Sequence, residues 1–220
     1  MQQISISEQL KLNAKEIQLS CIECNVTVQQ KNEELWSEIN KKIATIAAEL
    51  KVEQISAIPA VIASRKAYRA CGKDPARYRL SAEALLRRVI KREELYQVNN
   101  VVDLLNLVSI STGFSIGGYD IEKINGSITF GIGEKNEPYE GIGRGELNIE
   151  SLPVFRDENS AFGSPTSDSL RTAVSETTKR FLMVIIDFGG GELLHATEFA
   201  ATLLKKYANA INFEIKTVTE

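Results

Sequence analysis

The chain has 220 residues, a net charge of −3 and an apolar content of 43%. That suits one domain with a large core, or at most two small ones, and excludes polyanion recognition by bulk charge alone. Glycine and proline are not enriched and no stretch is of low complexity, which sets aside fibrous and disordered classes.

The N-terminus lacks a basic start followed by an apolar run, so no secretory signal is expected. The longest strongly apolar stretch, "FLMVII", is far too short to span a bilayer, so no membrane partner is expected. The cysteines number three, an odd count that argues for reduced thiols and a cytoplasmic location.

In chain order, "EIQLSCIECNVTV" (16–28) alternates as a strand, with a one-residue slip after Cys21 that predicts a β-bulge. Leu35, Trp36, Ile39, Ile43, Ile46 and Leu50 follow at helical spacing. "IPAVIASRKAYRACG" predicts a second helix, with Pro59 near its start and Gly72 just past its end. "KDPARYRL" is an extended basic connection. Ser81 then caps "AEALLRRVIKREEL", whose Leu85, Leu86, Val89 and Ile90 face inward, opposite Arg87, Arg88, Lys91 and Arg92.

"VNNVVDLLNLVSISTGFSIGGYD" (98–120) opens on two asparagines, and Asn99 or Asn100 is the expected helix cap. Val101, Leu104, Leu105 and Val108 form a helical stripe, and Val102, Leu107 and Ile110 fill much of the opposite face. A helix enclosed on most sides must find partners for Asp103, Asn106, Ser109 and Ser111. They either bond neighbouring loops or line a pocket. The segment closes on what reads as a permissive loop, "GFSIGGYD".

Beyond Tyr119, "GSITFGI", "RGELNIES" and "LPVFRD" are short strand-like runs that suggest hairpins. "ETTKRFLMVIIDF" reads as a long buried strand, "GGGELLHATEFAATLLKKYANA" as a helix after a glycine turn, and "INFEIKTV" as a last strand. Helices among strands, without regular βαβ alternation, predict an α+β architecture: a β-sandwich or antiparallel sheets with helices packed around them. No linker divides the chain, so residues 1–220 are expected to form one domain.

Charge is unevenly spread. From Arg65 to Arg92 there are ten lysines and arginines against Asp74 and Glu83 only, which is either a solvated helical face or a phosphate-contacting surface. The spacing of Cys21 and Cys24 lies within a strand pattern, and the chain offers only Cys71 and the single His195 as further soft ligands, so core cysteines are expected and no metal. Gly131, Gly133, Gly141, Gly143 and Gly145 are followed by no helical pattern and read as hairpin glycines rather than a nucleotide-binding turn, so no cofactor is expected. His195 has no serine or cysteine in an elbow context, and reads as structural.

"PTSDSLRTAVSETT" (165–178) concentrates hydroxyls, a carboxylate and a guanidinium before a buried strand. It is either a ligand-binding loop on a rigid sheet or a well-bonded turn in which Asp168 pairs with Arg171.

The string Asn99-Asn100-Val101-Val102-Asp103, Asn106 with Val108, Gly113, Tyr119-Asp120 and Lys123 with Gly126 resembles the B3/B4 domain of the phenylalanyl-tRNA synthetase beta subunit. It is closer still to free-standing relatives of that domain, with "SAEALLRRVIK" before the asparagine pair, "SIGGYD" after it, and Arg171-Thr172 leading into the final strand. The resemblance covers about residues 60–185. It implies a helix-decorated β-sandwich whose cleft takes tRNA or aminoacyl-tRNA; in the synthetase, water there cleaves the ester of mischarged tRNA. Bacterial synthetases commonly carry a histidine where this sequence has Gly117.

On that resemblance Asn99, Asn100, Ser109, Gly117, Gly118, Asp120, Thr166, Ser167, Arg171 and Thr172 are the candidate cleft residues. Asp168 and Glu146 are the candidate carboxylate bases. Arg69, Arg77, Arg79, Arg87, Arg88, Lys91 and Arg92 would contact RNA phosphates, with Tyr68 and Tyr78 available to stack on unpaired bases. Three functions stay open: tRNA binding, hydrolysis of mischarged aminoacyl-tRNA, and an amino-acid or small-ligand module without RNA. All require the 113–120 and 165–172 segments to face one groove, flanked by the basic helix.

Overall fold

A computed structural model describes residues 1–219. The first half contains β1 (Ile4–Ile6), α1 (Glu8–Asn13), β2 (Gln18–Asn25), α2 (Glu33–Glu49), α3 (Pro59–Ala70), α4 (Ser81–Ile90) and α5 (Asn100–Thr112). There follow β3 (Ser115–Asp120), β4 (Ile128–Ile132), the short pair β5 (Glu140–Gly141) and β6 (Gly145–Glu146), β7 (Pro153–Arg156) and β8 (Ala161–Gly163). The chain closes with β9 (Arg180–Asp187), α6 (Leu193–Ala208) and β10 (Ile211–Val218).

β2 and β9 form the centre of a four-stranded antiparallel sheet ordered β10-β2-β9-β3. One face is covered by α2, α4, α5 and α6, and the other by a mixed sheet ordered β1-β4-β7-β8, in which β1 runs parallel to β4. The architecture is α+β, with a helical layer, an antiparallel sheet and a mixed sheet, and no closed barrel. Neighbouring residues of β2 therefore serve different cores: Cys21 packs between the sheets with Leu19 and Val184, whereas Ile22 packs beneath the helices with Leu104 and Leu204.

That double burial explains one departure from the sequence reading. The bulge expected after Cys21 is absent; β2 and β9 pair without interruption from Gln18 opposite Asp187 to Asn25 opposite Arg180. A strand covered on both faces reads as a continuous apolar run, and the alternation that marks register disappears. The irregularity falls on β10 instead, between Ile211 and Glu214, where Asn212 takes a φ of 56°.

Other boundaries also moved. β1 and α1 were not legible because they span 3 and 6 residues, less than any period can show. The basic helix α4 stops at Ile90 rather than continuing through Leu95; Arg92 takes a φ of 58° and the Arg88 guanidinium closes the end on the Glu94 carbonyl at 2.7 Å. "RGELNIES" yields only the two residues of β6. α5 is enclosed as expected, capped by Asn99, which accepts from the Val102 N–H at 2.9 Å, and ended by Gly113 in the left-handed region at φ 80°.

"SIGGYD", expected as a loop, is β3, an edge strand bonded to β9 from Ser115 opposite Ile186 to Asp120 opposite Phe181. Its glycines remove side chains from both packed faces of the sheet. Among the described residues no helix is long and apolar enough to cross a membrane.

Candidate functional site

The segment after β8, residues 164–169, is a turn held by three buried tyrosines from three separate elements. Tyr68 of α3 shares a hydrogen bond with the Thr166 hydroxyl at 2.9 Å. Tyr139, just before β5, donates to the Ser167 carbonyl at 2.6 Å, and Tyr119 of β3 donates to Asp168 Oδ1 at 2.9 Å. Burial raises the pKa of all three phenols, so each is neutral, and Tyr119 and Tyr139 act as donors. Within the turn the Ser164 hydroxyl donates to the Ser167 carbonyl and accepts the Ser167 N–H. The result is a rigid loop on a sheet edge, aimed by hydroxyl groups.

Asp168 sits at its centre. Its second oxygen accepts the N–H of Gly118 at 3.3 Å, from the free edge of β3. Burial of the carboxyl pushes its pKa up to about 7, against the opposing effect of the bonds from Tyr119 and Gly118, although the residue keeps partial contact with solvent. A carboxyl that titrates near neutrality beside a phenol can move a proton at ordinary pH.

The groove expected between the 113–120 and 165–172 segments is therefore a direct contact at this point. The segments do meet, but the Tyr119 ring fills the space between them. It packs edge-on against Phe162 with ring centres 4.9 Å apart. Gly117 does not leave room for a ligand: a β-carbon there would lie 2.0 Å from the Tyr119 hydroxyl oxygen. Gly117 and Tyr119 share a strand face at i and i+2, so the phenol folds back over the glycine. Gly118 faces the helical side, where a β-carbon would meet Leu105 at 2.7 Å.

Several other candidate residues have their polar atoms engaged within the chain. Asn100 Oδ1 accepts the Gln29 N–H at 2.7 Å, and its amide donates to the carbonyls of Thr27 and Tyr207 at 2.9 and 2.7 Å. The Ser109 hydroxyl donates to the Phe114 carbonyl at 2.7 Å. Asp120 accepts the Thr178 hydroxyl at 2.8 Å and the Glu122 N–H, and Thr172 is fully buried with its hydroxyl toward the Phe162 carbonyl. Asp103 accepts from Trp36 Nε1 at 2.7 Å and from the Val98 N–H, so this helical carboxylate serves neighbouring segments.

Arg171 does not pair with Asp168, as the turn reading required. It forks onto Asp157, with nitrogen–oxygen distances of 2.8 and 3.0 Å. Burial of Asp157 favours the neutral acid, but the guanidinium and the amides of Asn125, Ser160 and Asn159 outweigh it and hold the carboxyl below its ordinary pKa. Sequence reasoning missed Asp157 and Tyr139, because no spacing along the chain connects them to the turn, and Ser164, which lies one residue before the segment singled out.

Beside the turn opens a cavity of about 1240 Å³, walled by Tyr139, Glu140, Glu146, Ser160, Ser169 and Arg171. Glu146 is exposed on its rim; Asp168 is not among its lining residues. Of the residues singled out from sequence, the structure thus brings Glu146 and Arg171 to one hollow and places Asp168, Gly118 and Thr166 behind it.

The basic segment divides in two. Arg87 lies 4.0 Å from the buried carboxylate of Glu83, which Arg65 approaches at 3.7 Å from the other side. Arg88 is engaged with Glu93 and the Glu94 carbonyl. Arg69, Arg77, Arg79, Lys91 and Arg92 are exposed, with no ion pair among the described residues. The first amide of α4, Ser81 N–H, donates to the Pro165 carbonyl at 2.8 Å, which joins the basic connection to the tyrosine-held turn. Tyr68, expected to be free for base stacking, is fully buried, and Tyr78 is half-buried beneath the Lys73 ammonium at 3.8 Å. Among the described residues no group of His, Cys, Asp and Glu side chains is placed to hold a metal ion.

A family model described as the B3/4 domain matches residues 63–190, more than half of the chain. No curated protein matches the sequence. Among solved structures, the chain is similar to an N-terminal fragment of the phenylalanyl-tRNA synthetase beta subunit from Pyrococcus horikoshii, at 15% identity and a TM-score of 0.48. That alignment covers 98% of this chain and 50% of the other, so the chain spans about half the length of that structure. The matched segment runs from α3 through β9 and contains the asparagine-capped helix, the double-glycine strand and the tyrosine-held turn: the chain belongs to the B3/4 domain family.

Proposed function

We propose that this chain binds tRNA or aminoacyl-tRNA, taking the acceptor end in the cavity beside the turn at residues 164–169, since Tyr119 fills the groove expected between the two segments, with the backbone lying on the basic connection. The observation that carries this reading is the Ser81 to Pro165 hydrogen bond. It fixes Arg77 and Arg79, both exposed, within a few residues of the turn that holds Asp168. Exposed arginines at the border of a rigid polar turn suit a phosphate chain whose end reaches the cavity beside that turn. The neighbouring cavity, with Ser169, Arg171 and Glu146 on its walls, is wider than an ordinary small-molecule pocket, as a polynucleotide end requires, and has mixed polar chemistry.

The test is tRNA affinity as a function of salt. Affinity falls steeply with added salt, and Arg77→Glu with Arg79→Glu lowers both the affinity and the salt slope. Affinity that is indifferent to salt and to both reversals removes this reading. Arg87 and Arg88 are poorer probes, because each is held by acidic or carbonyl partners of its own chain.

A second reading, hydrolysis of a mischarged aminoacyl ester, is favoured by one feature, the Asp168 carboxyl with its pKa near 7. In that role Asp168 accepts a proton from the water that attacks the ester carbonyl and returns it to the ribose oxygen as the bond from that oxygen to the carbonyl carbon breaks, while Tyr119 orients the carboxylate. Release of amino acid from mischarged tRNA, lost in Asp168→Asn while tRNA is still bound, supports it; equal release by both proteins removes it.

A further inference from the structure

At the other end of α4 from the tyrosine-held turn, the loop after that helix and one face of α2 border a hollow of about 710 Å³. Its walls include Trp36 and Asn40 of α2, Arg88 of α4, and Arg92, Tyr96 and Gln97 of the loop, together with Glu94 and with Glu93, whose carboxylate is paired with Arg88. A shallow patch of the α2 surface that shares Trp36 and Asn40 adjoins it, so the indole stands at the edge of the recess.

The arrangement has the parts of a planar-ring receptor. Tyr96 is 72% exposed, an unusual state for an aromatic residue beside an apolar recess. The Arg88 guanidinium, itself held by Glu93 and the Glu94 carbonyl, lies over one face of the Tyr96 ring, 4.5 Å from the ring centre, which leaves the other face for stacking. Trp36 is fixed from behind by the bond from its Nε1 to Asp103. Two aromatic rings thus line the recess, one anchored and one exposed, with amide groups of Asn40 and Gln97 able to offer both donors and acceptors, and with Arg92 exposed at the rim. Stacking surface, amide edges and a cation are what a nucleobase with its phosphate requires.

We infer that this hollow is a nucleobase-binding site, in which Tyr96 and Trp36 stack on the base, Asn40 and Gln97 bond its edge, and Arg92 meets the attached phosphate. The inference deepens the RNA reading, on which it rests for the source of the base: an unpaired nucleotide of a bound RNA, with a free nucleotide as the other source of the same chemistry. It also supplies the aromatic contact that Tyr68, buried in the core, cannot make.

Trp36 is the chain's only tryptophan, so its fluorescence reports on this hollow. Titration with adenosine monophosphate and with a short unpaired oligoribonucleotide is expected to quench it saturably, the oligomer at lower concentration, while a fully paired duplex leaves it unchanged. Tyr96→Ala, a change at an exposed position, weakens both by about tenfold. Absence of saturable quenching by either ligand, quenching by the duplex as strong as by the single strand, or quenching unaltered in Tyr96→Ala overturns the site. Quenching by the mononucleotide that persists when tRNA affinity proves independent of Arg77 and Arg79 keeps the site, assigns it to free nucleotides and removes the RNA reading. Unchanged fluorescence alongside salt-dependent tRNA binding keeps the RNA reading and removes the site.

Discussion

The Tyr119 hydroxyl reaches Asp168 at 2.9 Å through a gap left by two glycines, one on each sheet. A β-carbon at Gly117 would lie 2.0 Å from that hydroxyl oxygen, and one at Gly163 would lie 2.1 Å from it. The phenol is thus gripped from both layers of the sandwich. Together with the Gly118 N–H on the other carboxyl oxygen, its hydrogen bond lets the antiparallel sheet control the position of a carboxyl on the turn.

Gly117→Ala is expected to destabilise the protein by about 1–3 kcal/mol, since the contact is with a ring clamped on its other side. Adding Tyr119→Phe removes the nearest atom and recovers part of the loss, a coupling that urea unfolding of the two single variants and the double variant measures. Gly143→Ala meets no atom within 4 Å but sits at φ 66°, so its cost is backbone strain alone and Tyr119→Phe does not relieve it.

The pH dependence of stability follows from Asp168. Its pKa rises from about 3.9 in an unfolded chain to about 7 in the fold. Between those values the folded state binds the proton and the unfolded state does not, so this group's contribution to stability falls as pH rises from about 4 to about 7 and is level above. Asp168→Asn, which cannot ionise, is expected to gain on the wild type across that interval. Unfolding midpoints at a series of pH values check this; parallel curves for the two proteins contradict it.

Asn100→Ala removes three hydrogen bonds that tie the start of α5 to the exit of β2 and the end of α6. Loss of about 3 kcal/mol is expected, as buried carbonyls and an amide are left unpaired. The effect belongs to stability, measured by chemical denaturation, and tRNA affinity of the folded variant stays at the wild-type value.

Cysteine reactivity gives an independent check on the layers. Burial pushes the thiols of Cys21 and Cys24 up to about 12 and that of Cys71 up to about 11. In the native protein a thiol reagent at neutral pH is expected to label Cys71 slowly and the two strand cysteines hardly at all, whereas all three label in denaturant. Rapid native labelling of Cys21 or Cys24, read by mass spectrometry, contradicts the double-covered strand.

Helices and the long strand β9 were legible because their apolar periods are carried by many residues, and the family resemblance rested on residues that cap and end α5. Adjacency across the fold was not. Asp168 and Arg171 are close in sequence and were paired on that ground, but the turn conformation turns Arg171 toward Asp157 and leaves Asp168 to Tyr119. Gly117 and Gly118 read as backbone freedom, since a sequence shows the missing side chain but not the neighbour that takes its space. The Trp36 and Tyr96 hollow had no trace in the chain: its two rings are sixty positions apart, one within a helical stripe and the other in a polar loop.

The pairing of β2 between β9 and β10 sets when this protein can finish folding. Residues 18–25 are made early, yet both of their hydrogen-bonded neighbours lie within residues 180–218. During synthesis the central strand must wait, with both edges unsatisfied, until nearly the whole described chain has left the ribosome. Such distant pairing makes for slow closure and a long interval of exposure. A truncation that stops short of β9 accordingly yields an aggregating chain rather than a smaller folded one.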